Sequence, residues 1–183
     1  KKVTSGQSGS ALMRTPDFAL ELVEAVVQAT SLDVTLKMRL GWDDNSLNAP
    51  EIAKRAEAAG VKMITVHGRT RCQFYKGAAD WQAIGRGKRA VSIPVIANGD
   101  IVDVTSARQA LQQSGADGVM VGRGAQGAPW RLAQIASALY GTPAPKIPRG
   151  SELAQVILQH HQAIVDFYGG TLGLKNARKH LGW

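Results

Sequence analysis

The sequence predicts an α/β fold in which four parallel strands alternate with helices, followed by a short helical segment. Two observations support it. Short runs of β-branched and aliphatic residues recur along the chain, at residues 34–38, 63–67, 93–97 and 118–121. Segments with helical periodicity separate these runs. Alternation of this kind builds a parallel sheet, in either a barrel or a doubly wound layer.

The four runs are nearly continuous in hydrophobicity, which is typical of parallel strands covered on both faces. Capping residues, and prolines in the first turn, predict where the helices between them begin. These starts fall at Thr15-Pro16, Asn48-Ala49-Pro50, Asp80, Asp103 and Pro129. On the first helix, Phe18, Leu22 and Val26 mark one apolar face.

Three regions follow from this pattern. Residues 1–140 hold the strand–helix units, residues 141–150 contain three of the seven prolines and form a linker, and residues 151–183 are helical with a stop at Gly169-Gly170. Four units make half of a (β/α)8 barrel, and a half barrel leaves two open strand edges. We therefore expect either a first half before Lys1, which we favour, or the pairing of two half barrels.

Charge and cysteine content narrow the functional classes. Lys and Arg number 22 against 14 acidic residues, which gives a net charge of +8. Such an excess favours a polyanionic partner such as nucleic acid, although a basic protein without one fits equally well. The one cysteine, Cys72, and the lack of an apolar run long enough to cross a bilayer predict a cytoplasmic protein.

Polar residues follow the C-terminal end of every predicted strand, the rim at which barrel enzymes hold their active sites. They are Lys37 and Arg39, His67-Gly68-Arg69-Thr70-Arg71, Asn98-Gly99-Asp100, and Gly122-Arg123-Gly124. Each set alone has an ordinary explanation as a turn or a solvated strand end. Together at one rim they predict a binding site.

The last two strand ends predict a phosphate site. Gly99, Gly122 and Gly124 let the backbone approach an oxyanion, and Arg123 adds a guanidinium that grips phosphate. The segment 122–127 also matches a G-x-G-x-x-G pattern, but the acidic residue of a dinucleotide site does not follow it.

Lys37 and His67 lie on neighbouring strands and are suited to stabilise negative charge on a reduced cofactor. The remaining histidines lie in the helical tail without metal-ligand spacing, so no metal site is expected.

These motifs resemble the bacterial tRNA-dihydrouridine synthases, most closely the B type. The resemblance covers the whole chain in the family's order, at residues 1–3, 6–13, 34–42, 66–71, 94–100, 121–123 and 177–183. It implies the C-terminal half of a TIM (β/α)8 barrel, followed by the start of a small helical tRNA-binding domain. It also implies FMN as cofactor, NADPH as reductant, and reduction of a uridine in tRNA to 5,6-dihydrouridine by a protein that is monomeric when complete.

By the same resemblance, each predicted site residue acquires a role. Lys37 and His67 contact the flavin ring system, and the ribityl phosphate is held by Asn98, Gly99, Asp100, Gly122 and Arg123. Arg69 and Arg71 face the flipped base or nearby RNA, and Arg178 with Lys179 faces the tRNA backbone. The family's proton-donating cysteine would lie just before Lys1, and Cys72 does not match it, so we expect this chain to be inactive alone.

Two other functions remain open. Another phosphate-binding barrel, such as a different FMN oxidoreductase or an aldolase-like synthase, fits the architecture but not the His67-to-Arg71 rim and the basic tail. A non-catalytic, basic RNA-binding module fits the charge. Tight flavin binding separates both enzymes from the module.

Overall fold

The computed structural model describes Ser5 and residues 7–182. Its four strands, β1 (Thr35–Arg39), β2 (Met63–His67), β3 (Val95–Asn98) and β4 (Gly118–Met120), form one parallel sheet in the order β1-β2-β3-β4. Each lies within two residues of its predicted run. Neighbouring strands are consecutive in sequence, as in a barrel, whereas a doubly wound sheet reverses its strand order at a switch point. The predicted four-strand, barrel-type α/β fold is confirmed.

The helices also begin close to their predicted starts. They are α1 (Pro16–Gln28), α2 (Ala49–Ala58), α3 (Trp81–Ala90), α4 (Val104–Ser114), α5 (Arg131–Tyr140) and α6 (Gly150–Leu181), with 3-10 turns at Gly9–Arg14 and Arg123–Ala125. Asp80 caps α3, because its Oδ1 accepts a hydrogen bond from the Ala83 amide at 2.8 Å. Thr15 and Asn48 precede α1 and α2 without a side-chain capping bond.

The chain divides into two units. The first runs to Ile101 and includes Thr105–Gly122, so it holds the whole sheet; the second contains Val102–Val104 and the chain from Arg123 onward. Helix α5 therefore belongs to the second unit, although the sequence analysis grouped it with residues 1–140. Within that unit the Arg131 guanidinium donates to the Gly124 carbonyl at 2.7 Å, which ties the start of α5 to the preceding 3-10 turn.

The core of the first unit lies on one face of the sheet. Ile64 pairs in register with Val95, and Val66 with Ala97, and all four are buried. Helices α2 and α3 add further buried apolar residues, Ile52, Ala53, Ala56 and Ile84. Because successive side chains of a strand alternate between faces, the other face carries Lys37, Arg39, Thr65, His67 and Asn98. The polar residues thus share the face opposite the helices.

The apolar face that the sequence marks on α1 is not buried. Phe18 is 50% exposed and Val26 is 53% exposed, and the buried residue of this helix is Leu20. Residues of α1, of the Gly9–Arg14 turn and of β1 line an elongated cavity of about 530 Å³. The cavity lies along β1, and its lining includes Lys37 and Arg39 but neither His67 nor Asn98.

Helix α6 consists of two segments that meet at Gly169, whose φ of 74° and ψ of 165° break the helix. The predicted stop is therefore found, and the second segment begins directly after it. The two segments pack against each other, since the His160 and His180 rings lie 4.7 Å apart. Within the described residues, no helix combines the length and apolar character needed to cross a bilayer.

We expect Gly173→Ala to destabilise this helical pair. A Cβ at Gly173 would lie 2.8 Å from the Val165 Cα and 3.0 Å from the Ile164 carbonyl oxygen, across the Gly169 break. Overpacking of this kind costs about 1–3 kcal/mol. The matched control is Gly170→Ala, where a Cβ meets nothing within 4 Å, and where alanine stabilises a helix by about 0.5–1 kcal/mol. Urea unfolding followed by circular dichroism measures both, and equal effects would contradict the close packing.

Candidate functional site

Three polar side chains stand in register at the C-terminal ends of the strands. Arg39 of β1 pairs with His67 of β2, and His67 pairs with Asn98 of β3. Lys37 lies two residues before Arg39 and so faces the same side. The structure therefore brings together Lys37, Arg39, His67 and Asn98, which the sequence analysis placed at separate strand ends; Arg39 had been given no individual role there.

Asn98 ties β3 to the end of β4. Its side chain is buried, and its Nδ2 donates to the Met120 carbonyl at 2.8 Å. Gly122 follows two residues later and is exposed, with nothing within 4 Å of the position where a Cβ would stand. The backbone at Gly122 is therefore exposed, and its part in a phosphate site stays a prediction.

Gly99 fits only as glycine. Its φ is +113°, a value that side chains other than glycine rarely adopt, and a Cβ there would lie 2.9 Å from the Ala79 Cβ and 3.0 Å from the His67 Cδ2. Its carbonyl accepts from the Trp81 indole N–H at 2.9 Å. The imidazole edge of His67 thus packs directly on the Gly99 backbone.

Arg69 and Asp100 form a buried, bidentate ion pair. The Arg69 side chain is 2% exposed, and its Nη1 and Nη2 donate to Oδ1 and Oδ2 of Asp100 at 2.9 and 2.5 Å. Asp100 Oδ2 also accepts from the Ala79 amide at 2.7 Å. Asp100 has a positive φ of 54° directly after Gly99, so a tight left-handed turn presents the carboxylate to Arg69.

The rest of the Arg69 guanidinium organises the β2–α3 loop, residues 68–80. Nε donates to the Lys76 carbonyl at 3.1 Å and Nη2 to the Gly77 carbonyl at 2.5 Å, while Nη1 lies 3.5 Å from His67 Nε2. This inward location differs from the RNA-facing one that the sequence analysis gave Arg69. Arg69 and the carboxylate of Asp100 are committed to each other and to the loop.

Arg39 reaches the same loop from β1. Its Nη1 donates to the carbonyls of Thr70 and Phe74, both at 2.9 Å, and its guanidinium lies 5.6 Å from the Tyr75 ring centroid. The Tyr75 ring in turn lies 6.2 Å from the His67 ring. The alternating strand pattern alone signals that Arg39 shares a face with Lys37, but it does not show these loop contacts.

The electrostatics of this face favour a neutral histidine among cations. Burial, followed by the charges of Arg39, Lys37 and Arg69, lowers the pKa of His67 to about 4. Partial burial and then Arg39 lower the pKa of Lys37 as well. In the described part of the chain, no carboxylate makes an ion pair with Lys37. The face therefore carries positive charge suited to an anionic or electron-rich ligand.

Arg71 stands at the rim of the site in a stack of cations and aromatic rings. Its guanidinium lies 4.2 Å from the Phe74 ring centroid and 5.1 Å from that of Trp42, and Arg14 lies 4.9 Å from the Trp42 ring. Phe74 and Tyr75 are exposed. Exposed rings next to guanidinium groups are the combination that binds single-stranded nucleic acid.

Other predicted site residues belong to the second unit. Arg123 opens the 3-10 turn Arg123–Ala125, and Arg178 and Lys179 are exposed in the last turn of α6.

Cys72, in the first unit, is exposed in the β2–α3 loop. Across Ser5 and residues 7–182, no group of three or more His, Cys, Asp or Glu side chains is placed to hold a metal ion.

Comparisons with known proteins agree on one family. The family model described as dihydrouridine synthase (Dus) matches residues 1–183. A probable tRNA-dihydrouridine synthase of Rhodobacter capsulatus is 69% identical over 183 residues, which cover 100% of this chain and 56% of that protein. The tRNA-dihydrouridine synthase B of Pseudomonas putida is 44% identical, over 100% of this chain and 54% of that protein. The chain thus spans little more than half the length of these curated relatives.

Likeness to solved structures is weak. A mandelate oxidase variant with benzaldehyde is 21% identical, with a TM-score of 0.46 over 65% of this chain and 42% of that chain. This level of similarity has no bearing on function.

We expect acid to destabilise the fold through His67. Its folded pKa of about 4 lies below the ordinary 6.5, so the unfolded chain binds the proton more readily. Stability is complete above pH 6.5 and is lost as the pH falls towards 4, by about 2 kcal/mol at pH 5. The measurement is the free energy of unfolding at pH 7.5 and pH 5, with His67→Gln as a variant that does not titrate at this position. The wild type should lose about 2 kcal/mol more than His67→Gln; equal losses would show that His67 is not held neutral.

Proposed function

Because the chain belongs to the dihydrouridine synthase family, we propose that it takes part in the FMN-dependent reduction of uridine in tRNA to 5,6-dihydrouridine, with NADPH as the reductant. The observation that carries this proposal is the polar strand-end face, where His67 and Asn98 stand in register and Lys37 lies on the same side. The face is positively charged, and no carboxylate among the described residues pairs with Lys37. Such a face suits an electron-rich ring system joined to a phosphate.

The residues present fit a flavin mononucleotide in charge, because cationic Lys37 and Arg39 stand beside a neutral His67. We assign the phosphate-bearing end to the turn formed by Asn98, Gly99 and Asp100 and to Gly122, where no atom lies within 4 Å of the position of a Cβ. We assign Asp100 the role of shaping the turn, because its carboxylate accepts hydrogen bonds from the Arg69 guanidinium and the Ala79 amide. Arg123 follows Gly122 in the chain, and we include it on the sequence motif alone.

Lys37 and His67 are assigned to the ring system of the cofactor. When bound, FMN supplies hydride acceptance and hydride donation. A lysine ammonium stabilises nearby negative charge, and a neutral imidazole donates a hydrogen bond without adding to the charge already present. Burial of His67 beside three cations keeps it in that neutral form.

The RNA-facing part of the proposal rests on the rim. Arg71, Phe74 and Trp42 combine positive charge with stackable rings beside the strand-end face. A uridine must leave its stack to reach a buried cofactor, and an exposed aromatic rim favours splayed bases. Arg178 and Lys179 are assigned to the tRNA backbone because they are exposed and basic. We assign Cys72 no part in catalysis, since it does not match the family's cysteine.

We expect this chain to retain FMN after gel filtration, seen in its visible spectrum, and Lys37→Ala to weaken retention at least about tenfold, because a charge-assisted contact of about 1.5–3 kcal/mol is lost. The control is Lys54→Ala, which removes an exposed lysine on α2. Fluorescence titration of FMN gives the dissociation constants. Absence of retained flavin, or equal weakening by both variants, would count against this site.

We expect Arg71→Ala to weaken binding of tRNA by roughly five- to a hundredfold, because stacking on such a platform contributes about 1–3 kcal/mol per base. Arg71→Lys keeps the charge but loses the planar stacking group, so its affinity should lie between those of Arg71→Ala and the wild type. Arg86→Ala, an exposed arginine on α3, is the control. Filter binding at fixed salt compares them. If tRNA binds while FMN does not, the RNA-binding module replaces the enzyme as the better proposal.

A further inference from the structure

We propose that Arg69 and Asp100 act as a positioning pair that fixes His67 as the Nδ1-protonated tautomer. In this form Nε2 is reserved as an acceptor facing Arg69, and the single N–H of the imidazole, at Nδ1, is the group offered to a ligand. The inference deepens the proposed function and rests on it for the identity of that ligand, but the tautomer itself follows from contacts within the first unit.

The first step concerns Nε2. Arg69 Nη1 lies 3.5 Å from it, and a guanidinium carries only donors and a fixed positive charge. A proton on Nε2 would therefore point at a cationic donor. The lone pair on Nε2 is favoured instead, which leaves the proton of the neutral ring on Nδ1.

The second step concerns the orientation of the ring. Turning the imidazole over would replace Nε2 by a carbon and leave an N–H of buried Arg69 without an acceptor. Each of the five N–H groups of Arg69 has an acceptor in the observed orientation: two on Asp100, the Lys76 and Gly77 carbonyls, and His67 Nε2. An unsatisfied donor of a buried charge is costly, so this orientation is selected.

The third step concerns access. The Nε2 edge is closed, because a Cβ on Gly99 would lie only 3.2 Å from Nε2 and 3.0 Å from Cδ2. Nδ1, by contrast, makes no hydrogen bond within the described part of the chain, and it is not among the buried unpartnered atoms there. A ligand on the strand-end face therefore meets His67 through Nδ1.

Asp100 acts through Arg69 rather than by touching His67. Its two oxygens hold both terminal nitrogens of the guanidinium, which fixes the plane and the reach of Nη1 towards the imidazole. The same type of arrangement, in which a second group sets the tautomer of a functional histidine, is common at catalytic and metal sites. Both residues are positioning residues in this proposal, and His67 is the group that meets the ligand.

The test is a two-dimensional, multiple-bond ¹H–¹⁵N spectrum of the whole chain labelled with ¹⁵N-histidine, recorded at pH 7 without cofactor. The His67 signals are assigned by their loss in His67→Gln. We expect a pyrrole-like shift at Nδ1 and a pyridine-like shift at Nε2, the reverse of the form that predominates in free neutral histidine. A wild-type spectrum with the proton on Nε2 overturns the proposal.

Variants separate positioning from general stability. Asp100→Asn and Arg69→Lys should each lose the Nδ1–H pattern, because neither retains the bidentate pair. The matched control is Asp117→Asn, which neutralises the carboxylate of another ion pair, with Lys88 at 2.7 Å, that also accepts from the Val95 amide at 2.8 Å. It should leave the His67 pattern unchanged. A folded Asp100→Asn or Arg69→Lys that keeps Nδ1–H contradicts the proposal, and so does loss of the pattern in Asp117→Asn.

The outcome is independent of the flavin test. An Nδ1–H pattern in a chain that does not retain FMN would support the positioning pair and count against the proposed function. Retained FMN with the proton on Nε2 would support the proposed function and contradict the positioning pair.

Discussion

The buried charge of Arg69 is the constraint on which the candidate site depends. A guanidinium removed from water costs several kcal/mol unless it is paired and fully hydrogen-bonded, and the chain meets this requirement with one carboxylate, two carbonyls and an imidazole nitrogen. These acceptors come from β2, from the loop after it and from the turn after β3. The hydrogen bonds of the Arg69 guanidinium therefore fix three segments relative to each other, including the turn assigned to the phosphate.

A second consequence is the charge of the strand-end face. Asp100 offsets the charge of Arg69. Burial and the nearby charges of Arg39, Lys37 and Arg69 lower the pKa of His67, so the imidazole is neutral. The face is thus positive, while the charge of Arg69 is balanced by Asp100. This arrangement suits the proposed assignment of an electron-rich ring near Lys37 and His67. Next to this face, the Arg71 guanidinium lies over the Phe74 and Trp42 rings.

Much of the fold could be predicted because local signals and packing agreed. The strand runs are apolar, the helix starts carry Asp80 or prolines, and Gly169 interrupts α6 where two glycines meet. The exception is instructive. Phe18 and Val26 have helical spacing, yet they are half-exposed, because periodicity shows which side of a helix is apolar and not whether anything covers it. The grouping of α5 with the second unit likewise follows from tertiary contacts, which the strand and helix pattern does not encode.

By itself, the sequence determined the order of strands and helices and the family. It also placed His67 and Asn98 at strand ends and Lys37 on the same face, because side chains alternate along a strand and parallel strands end at one edge. Only the tertiary structure decided what each polar residue does there. Arg69 and Arg71 are two residues apart in the same motif, yet Arg69 is buried against Asp100 while Arg71 stacks at the rim. Burial and hydrogen-bond partners arise from segments distant in sequence, and no local pattern of residue types encodes which arginine finds the carboxylate.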